Sequence, residues 1–260
     1  MNHSTAVQIL HPSSFILWSP VLYCLEMQRC NECRIVDVLE GAMRLLSVSD
    51  EVVSMLQTSA LRQRVGSIDA IVGCGDLPPS YLEYLVSMLN VPCFYVNGNH
   101  DAPEQHEDGR VSVKPQGCDN LDLRVEAVGG LLIAGAGGVL RYRPGEHQYS
   151  EAEWAWRMTM LSARVFFAQM RYRQRLDVLI THTPPAGLHD GIGAHRGPQA
   201  LRRFIDRIAP RYVIHGHVHL NYGYGDQRPL QYGDTLIVNT HGYRLLDLEP
   251  MPALSKAQAS

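Results

Sequence analysis

The sequence lacks an apolar run long enough to span a bilayer, a surplus of positive charge, and a set of cysteines spaced for cross-linking. The best membrane candidate, "FILWSPVLYCLEM" at residues 15–27, is about thirteen residues long against the roughly twenty a spanning helix needs, and Pro20 and Glu26 interrupt it. No Lys or Arg precedes it, so the positive start of a secretory signal is missing too. Lys and Arg total 23 against 26 Asp and Glu, a net charge of −3. That balance gives no general basic field for holding a long duplex by its phosphates, so nucleic acid is not a favoured partner, while small anions held through a metal remain open. Six cysteines in 260 residues make no disulfide framework. Cys74 and Cys93 sit in apolar runs and read as buried thiols, and Cys30 and Cys33 form a lone CxxC with no second pair to complete a zinc site. A reducing, cytoplasmic setting without a membrane partner is expected.

What is present is an ordinary globular composition, 45% hydrophobic and 19% charged, enough for a sizeable core. From residue 43 onward short apolar runs alternate with stretches of helical length. The domain is therefore placed at 43–248. Residues 1–42 are read as an appended or wrongly included leader, and 249–260 as a disordered tail. The periodicity predicts strands at 44–49, 70–73, 93–97, 131–135, 178–181, 212–215 and 236–240, with helices at 52–64, 80–89, 150–174 and 198–208. Such alternation argues for an α/β fold with a largely parallel sheet, to which "RVEAVGGLLIAGAGG" at 124–138 adds a hairpin. Trp154 and Trp156, two residues apart, cannot share one helix face.

The predicted strands end in metal-capable residues: Asp50, Asp76, Asn99 with His100, His182, and His217 with His219. In open α/β sheets ligands bind beyond the carboxyl ends of the strands, so these exits can converge on one place. A lone Asp after a strand is usually a turn former, and a lone His is usually a satisfied polar group. Five such exits together make that reading improbable.

In order, the exits read "SDEV" (49–52), "GCGD" (73–76), "GNHD" (98–101), "THTPP" (181–185) and "GHVH" (216–219). This series resembles the calcineurin-like metallophosphoesterases across nearly the whole of residues 43–248. The resemblance implies two facing mixed β-sheets flanked by helices, a four-layer sandwich, with two divalent ions (Mn, Fe or Zn) at the strand ends. It implies that Asp76 bridges the ions, that Asn99, His182 and His217 complete one, and that Asp50 and His219 hold the other. It makes His100 the proton donor to the leaving group and Asp101 the residue that orients the His100 ring. His215 keeps the same parity but lies inside its strand, and reads as packing behind the ligands.

Mixed carboxylate, amide and imidazole donors suit this chemistry, because two cations roughly 3.5–4 Å apart render a shared water acidic and neutralise charge on phosphoryl oxygens. The implied activity is hydrolysis of a phosphate mono- or diester by attack of that bridging hydroxide. The implied partner is a small phosphate-ester substrate. In the loop at 183–197, His189, His195 and Arg196 are candidates to grip phosphate.

One departure stands out. The family's first block carries a histidine two residues after the aspartate, and here that position is Val52, which cannot ligate. A weakened first site is expected, with His241 in "NTHGY" as a remote substitute. Two alternatives follow: a nuclease or cyclic-nucleotide phosphodiesterase of the same fold, or a metal-binding scaffold that has lost turnover.

Overall fold

Strands that are apolar on both faces need cover on both, and this requirement sets the layers of the molecule. The computed structural model describes residues 42–219 and 229–249, all within one compact unit of the chain. The expected leader, its CxxC at Cys30 and Cys33, the apolar segment at 15–27 and the end of the tail lie outside the described residues.

The first half of the chain contains β1 (Met43–Ser49), α1 (Leu61–Val65), β2 (Ala70–Gly73), α2 (Pro79–Leu89), β3 (Cys93–Tyr95), and the short β4 (Glu104–Gln105), β5 (Val111–Ser112) and β6 (Asp119–Asn120). The hairpin β7 (Val125–Val128) and β8 (Leu131–Ala136) follows, then β9 (Val139–Leu140), β10 (Gln148–Tyr149) and α3 (Glu151–Tyr172). Beyond α3 come β11 (Val178–Thr181), α4 (Gln199–Ile208), β12 (Tyr212–His215), β13 (Leu230–Tyr232), β14 (Thr235–Asn239) and β15 (Gly242–Leu248).

Two large sheets result, in the orders β15-β1-β2-β3-β6 and β13-β14-β12-β11-β8-β7. Their interiors are parallel and each carries antiparallel pairing, β1 with β15 in the first and β8 with β7 and β14 with β13 in the second. Both sheets are therefore mixed.

Alternation along each strand sorts the core into three layers. Leu45, Val72 and Phe94 of the first sheet meet Ile133, Val178, Ile180 and Ile214 of the second. The opposite parity of the first sheet, Leu46, Val48, Ile71 and Tyr95, packs on Leu61, Tyr81, Leu82 and Leu85 of α1 and α2. Leu132, Leu179, Val213 and Ile237 of the second sheet pack on Trp154, Met158 and Leu161 of α3 and Leu201 and Phe204 of α4. Helix, sheet, sheet, helix is the four-layer sandwich expected from the resemblance.

Helix α3 starts where its sequence specifies. The Ser150 side chain accepts from the Glu153 N–H, and the Glu153 carboxylate accepts from the Ser150 N–H, a capping box. The two tryptophans diverge as anticipated: Trp154 is fully buried and donates from Nε1 to the Val139 carbonyl (3.1 Å), while Trp156 faces solvent.

The single helix expected at 52–64 is instead a 3-10 turn, Ser54–Leu56, followed by the short α1. Val52 and Val53 are β-branched and stiff, and the Thr58 hydroxyl donates to the Met55 carbonyl, a local bond that competes with helix continuation. Strand β15 was not anticipated, because "GYRLLDL" lacks the uniform apolar character of the central strands. Among the described residues no helix is long and apolar enough to cross a membrane.

Candidate metal centre

The loops leaving β1, β2 and β3 in one sheet and β11, β12 and β14 in the other meet at the carboxyl edge of the sandwich. At three of these exits the chain turns sharply on a non-glycine residue in the left-handed region: Asp50 (φ 64°), Asp76 (φ 56°) and His217 (φ 66°). Side chains other than glycine seldom adopt this conformation, and clusters of it mark functional sites.

Asp76, His182 and His217 present donor atoms that all lie within 4.8 Å of one another. His182 is fully buried, and its Nδ1 lies 2.7 Å from the Cys74 carbonyl. A carbonyl only accepts, so Nδ1 carries the proton and Nε2 turns inward, 3.2 Å from Asp76 Oδ2. Burial alone would lower the His182 pKa, but Asp76 outweighs it and raises the imidazole to about 9. For His217, Nε2 lies 2.9 Å from the Ala194 carbonyl, which leaves Nδ1 as the available donor atom. Burial, reinforced by His182, pushes His217 down to about 3, so its ring is neutral. The rings of His182 and His217 are 4.9 Å apart.

The second group is Asp50 and His219, with His219 Nε2 3.6 Å from Asp50 Oδ1. The Asp50 side chain is fully buried, and both its oxygens accept from the His217 backbone N–H (3.1 and 3.0 Å). Burial would raise this carboxyl, but His219, the nearby His182 and these hydrogen bonds hold it well below the usual carboxylate range. Asp76 is likewise lowered, against burial, mainly by His182.

The buried Asn99 Oδ1 has no hydrogen-bond partner, and His182 Nε2 has none beyond its approach to Asp76. A buried acceptor is rarely left this way, and a cation fits the free Asn99 oxygen and would take the place of the proton that Asp76 and His182 share. The Asn99 amide is turned by its other end, since Nδ2 donates to the Tyr142 hydroxyl (3.1 Å). Oxygen and nitrogen donors on carboxylate, amide and imidazole are the set that divalent transition ions accept.

Residues 51–221 match the profile described as calcineurin-like phosphoesterase. The chain belongs to that family. Over 64 residues it is 44% identical to UPF0046 protein K07C11.7 of Caenorhabditis elegans, a stretch covering 24% of this chain and 20% of that protein. The match thus spans about a fifth of the curated relative's length. The solved structure of TT1561 of Thermus thermophilus superposes with a TM-score of 0.53 at 19% identity, covering 79% of this chain and 94% of the other. Another solved structure gives 0.54 at 16% identity over 79% of this chain and 95% of its own. At these identities the likeness is one of fold. Family membership implies divalent metal cofactors.

Other members of the expected phosphoesterase site are placed differently. His100 is exposed, its backbone N–H donates to Asp76 Oδ1 (2.8 Å), and its ring makes no hydrogen bond among the described residues. Asp101 does not hold that ring. Its carboxylate accepts from the Leu77 N–H (3.1 Å), the Gly98 N–H (3.0 Å) and Asn97 Nδ2 (3.1 Å), and so fixes the turn that carries Asn99 and His100.

In the 183–197 loop, His189 Nδ1 lies 3.0 Å from Nε2 of the fully buried His215. That contact turns His189 toward packing, as expected for His215 itself. The His195 ring lies 5.1 Å from the His217 ring, tilted by 55°, and Arg196 is exposed. The loop base is tied by Asp190, which accepts from the Gly187 and Gly197 N–H groups (2.8 and 3.2 Å). A cavity of about 170 Å³ lies beside the Asp101 turn, lined by Leu77, Tyr95, Asn97 and His147 among others, and none of the six candidate ligands lines it. Tyr142 and the Ala194 carbonyl went unseen in the sequence, since nothing local marks a tyrosine or a peptide oxygen as a partner of a distant ligand.

Proposed function

We propose that this calcineurin-like phosphoesterase hydrolyses small or medium phosphate esters with two divalent ions, Mn, Fe or Zn, in a cytoplasmic setting. The observation that carries the reading is the convergence of the Asp76, His182 and His217 donor atoms within 4.8 Å of one another, together with the buried, unbonded Asn99 Oδ1. In this reading Asp76 is shared between two ligand sets. Asn99, His182 and His217 complete one set, and Asp50 and His219 belong to the other. Divalent ions bound there supply an acidified water and neutralise charge on phosphoryl oxygens.

The protein's own part is to hold this set in place. The Cys74 and Ala194 carbonyls fix the tautomers of His182 and His217, and Tyr142 fixes the face of the Asn99 amide. His100, exposed beside Asp76 and free at its ring, is the group that hands a proton to the departing alkoxide. Asp101 keeps the His100 turn in register through the backbone. His195 and Arg196 stand at the loop rim, where a phosphate ester would meet them.

The test is metal content by mass spectrometry after dialysis against Mn, Fe and Zn in turn, with hydrolysis of aryl phosphate mono- and diesters. Two ions per chain with turnover are expected. One ion or none without turnover would overturn the reading in favour of a binding scaffold. Asp76→Asn should lose metal and turnover together. His100→Ala should keep its metal and lose about 10²–10⁴ in turnover, least with good leaving groups.

A further inference from the structure

The exposed Val52 stands where the first block of the family carries a histidine, so the ligand set of Asp50 and His219 is one imidazole short. The fold brings another imidazole to the same place. Strands β1 and β15 are antiparallel with Ser49 opposite Gly242, so His241, one residue before Gly242, falls opposite Asp50, one residue after Ser49. The ring centroids of His241 and His219 are 4.6 Å apart with planes 38° from parallel. His241 is half-buried, and neither nitrogen of its ring makes a hydrogen bond among the described residues.

The turn carrying His241 is fastened to both strands that supply this half of the site. The Thr240 and Ser47 hydroxyls are 2.6 Å apart in the core, which ties the turn to β1. The Thr240 N–H donates to the His215 carbonyl (2.7 Å), which ties it to β12. The Asn239 side chain stitches the two histidine turns directly: Oδ1 accepts from the His241 N–H (2.9 Å), and Nδ2 donates to the Val218 carbonyl beside His219 (2.7 Å). A surface histidine would not need this bracing. A ligand does, because coordination fails when the donor atom wanders by a fraction of an ångström.

We infer that His241 takes the place of the missing first-block histidine and holds, with Asp50, Asp76 and His219, the ion on that side of the site. The inference rests on the binuclear reading above. It makes Val52 the outcome of a ligand moved from the loop after β1 to the turn before β15. A three-residue set would thereby become a four-residue one.

The experiment compares wild type, His241→Ala and the double variant Val52→His with His241→Ala. Each is stripped of metal and titrated with Zn and Co(II) against a chelator, with the visible spectrum of the Co(II) form recorded. His241→Ala should bind one ion as wild type does, which also reports an intact fold. It should bind the second at least about tenfold more weakly, with an altered Co(II) spectrum. Adding Val52→His should recover the second ion. Two ions bound by His241→Ala with unchanged affinity and spectrum would overturn the inference while leaving the phosphoesterase reading intact. Loss of both ions would assign His241 to the fold and overturn it as well. Fewer than two ions in wild type would sink the binuclear reading and this inference together.

Discussion

The Tyr142 hydroxyl decides which end of the Asn99 amide faces the cluster. An amide can turn over at little cost in energy, so the partner of its nitrogen determines where its oxygen points. With Nδ2 held at 3.1 Å by Tyr142, the unbonded Oδ1 is left to the site. Tyr142→Phe removes that hold and nothing else of consequence, because the residue is 38% exposed. We expect a loss of about tenfold in affinity for one of the two ions, read by chelator competition, with the thermal midpoint of the metal-free protein unchanged. Equal affinity in the variant would mean that the Asn99 oxygen does not ligate. The six candidate ligands were legible in the sequence because each follows an apolar run at a glycine or tight turn. Tyr142 was not, since it lies 43 residues from Asn99 and owes its role to tertiary placement alone.

At the scale of the element, the exit from β12 shows how closely the two sheets approach at the site. A Cβ built on Gly216 would collide with the Ser49 hydroxyl and the Asp50 carboxylate, so only glycine lets β12 pass the end of β1. Gly216→Ala should therefore displace Asp50 and loosen the contact to which the His217 N–H donates. Weaker binding of the ion assigned to Asp50 and a lower denaturation midpoint are expected together. A variant with wild-type midpoint and metal content would show that the crossing relaxes without cost. Strand exits of this kind were readable because strand and turn are written in adjacent residues. The 52–64 stretch was not, because its apolar spacing suits a helix while its valines and Thr58 favour turns. Strand β15 escaped for a related reason: it pairs on one side only, at the sheet edge, and carries Arg244 and Asp247 among its leucines.

For the whole molecule, the decisive fact is that the site belongs to neither sheet alone. Asp50, Asp76 and Asn99 leave the first sheet, and His182, His217 and His219 leave the second. The apolar layer between the sheets brings these ends together, but it also gathers Asp50, Asp76 and an unbonded Asn99 oxygen in a largely buried place. Charges and lone pairs held there without a cation oppose the packing that assembled them. Ions that bind only when both sheets are in place must therefore stabilise the folded chain by mass action, about 2.7 kcal/mol at a free concentration one hundred times the dissociation constant. The expected result is a thermal midpoint that climbs with the logarithm of free Mn or Zn in wild type. In Asp76→Asn, where the shared carboxylate is gone, the climb should be largely abolished. A midpoint in wild type that ignores metal across that range would mean that the two sheets close without help from an ion, and that the cluster at their edge is not a metal centre.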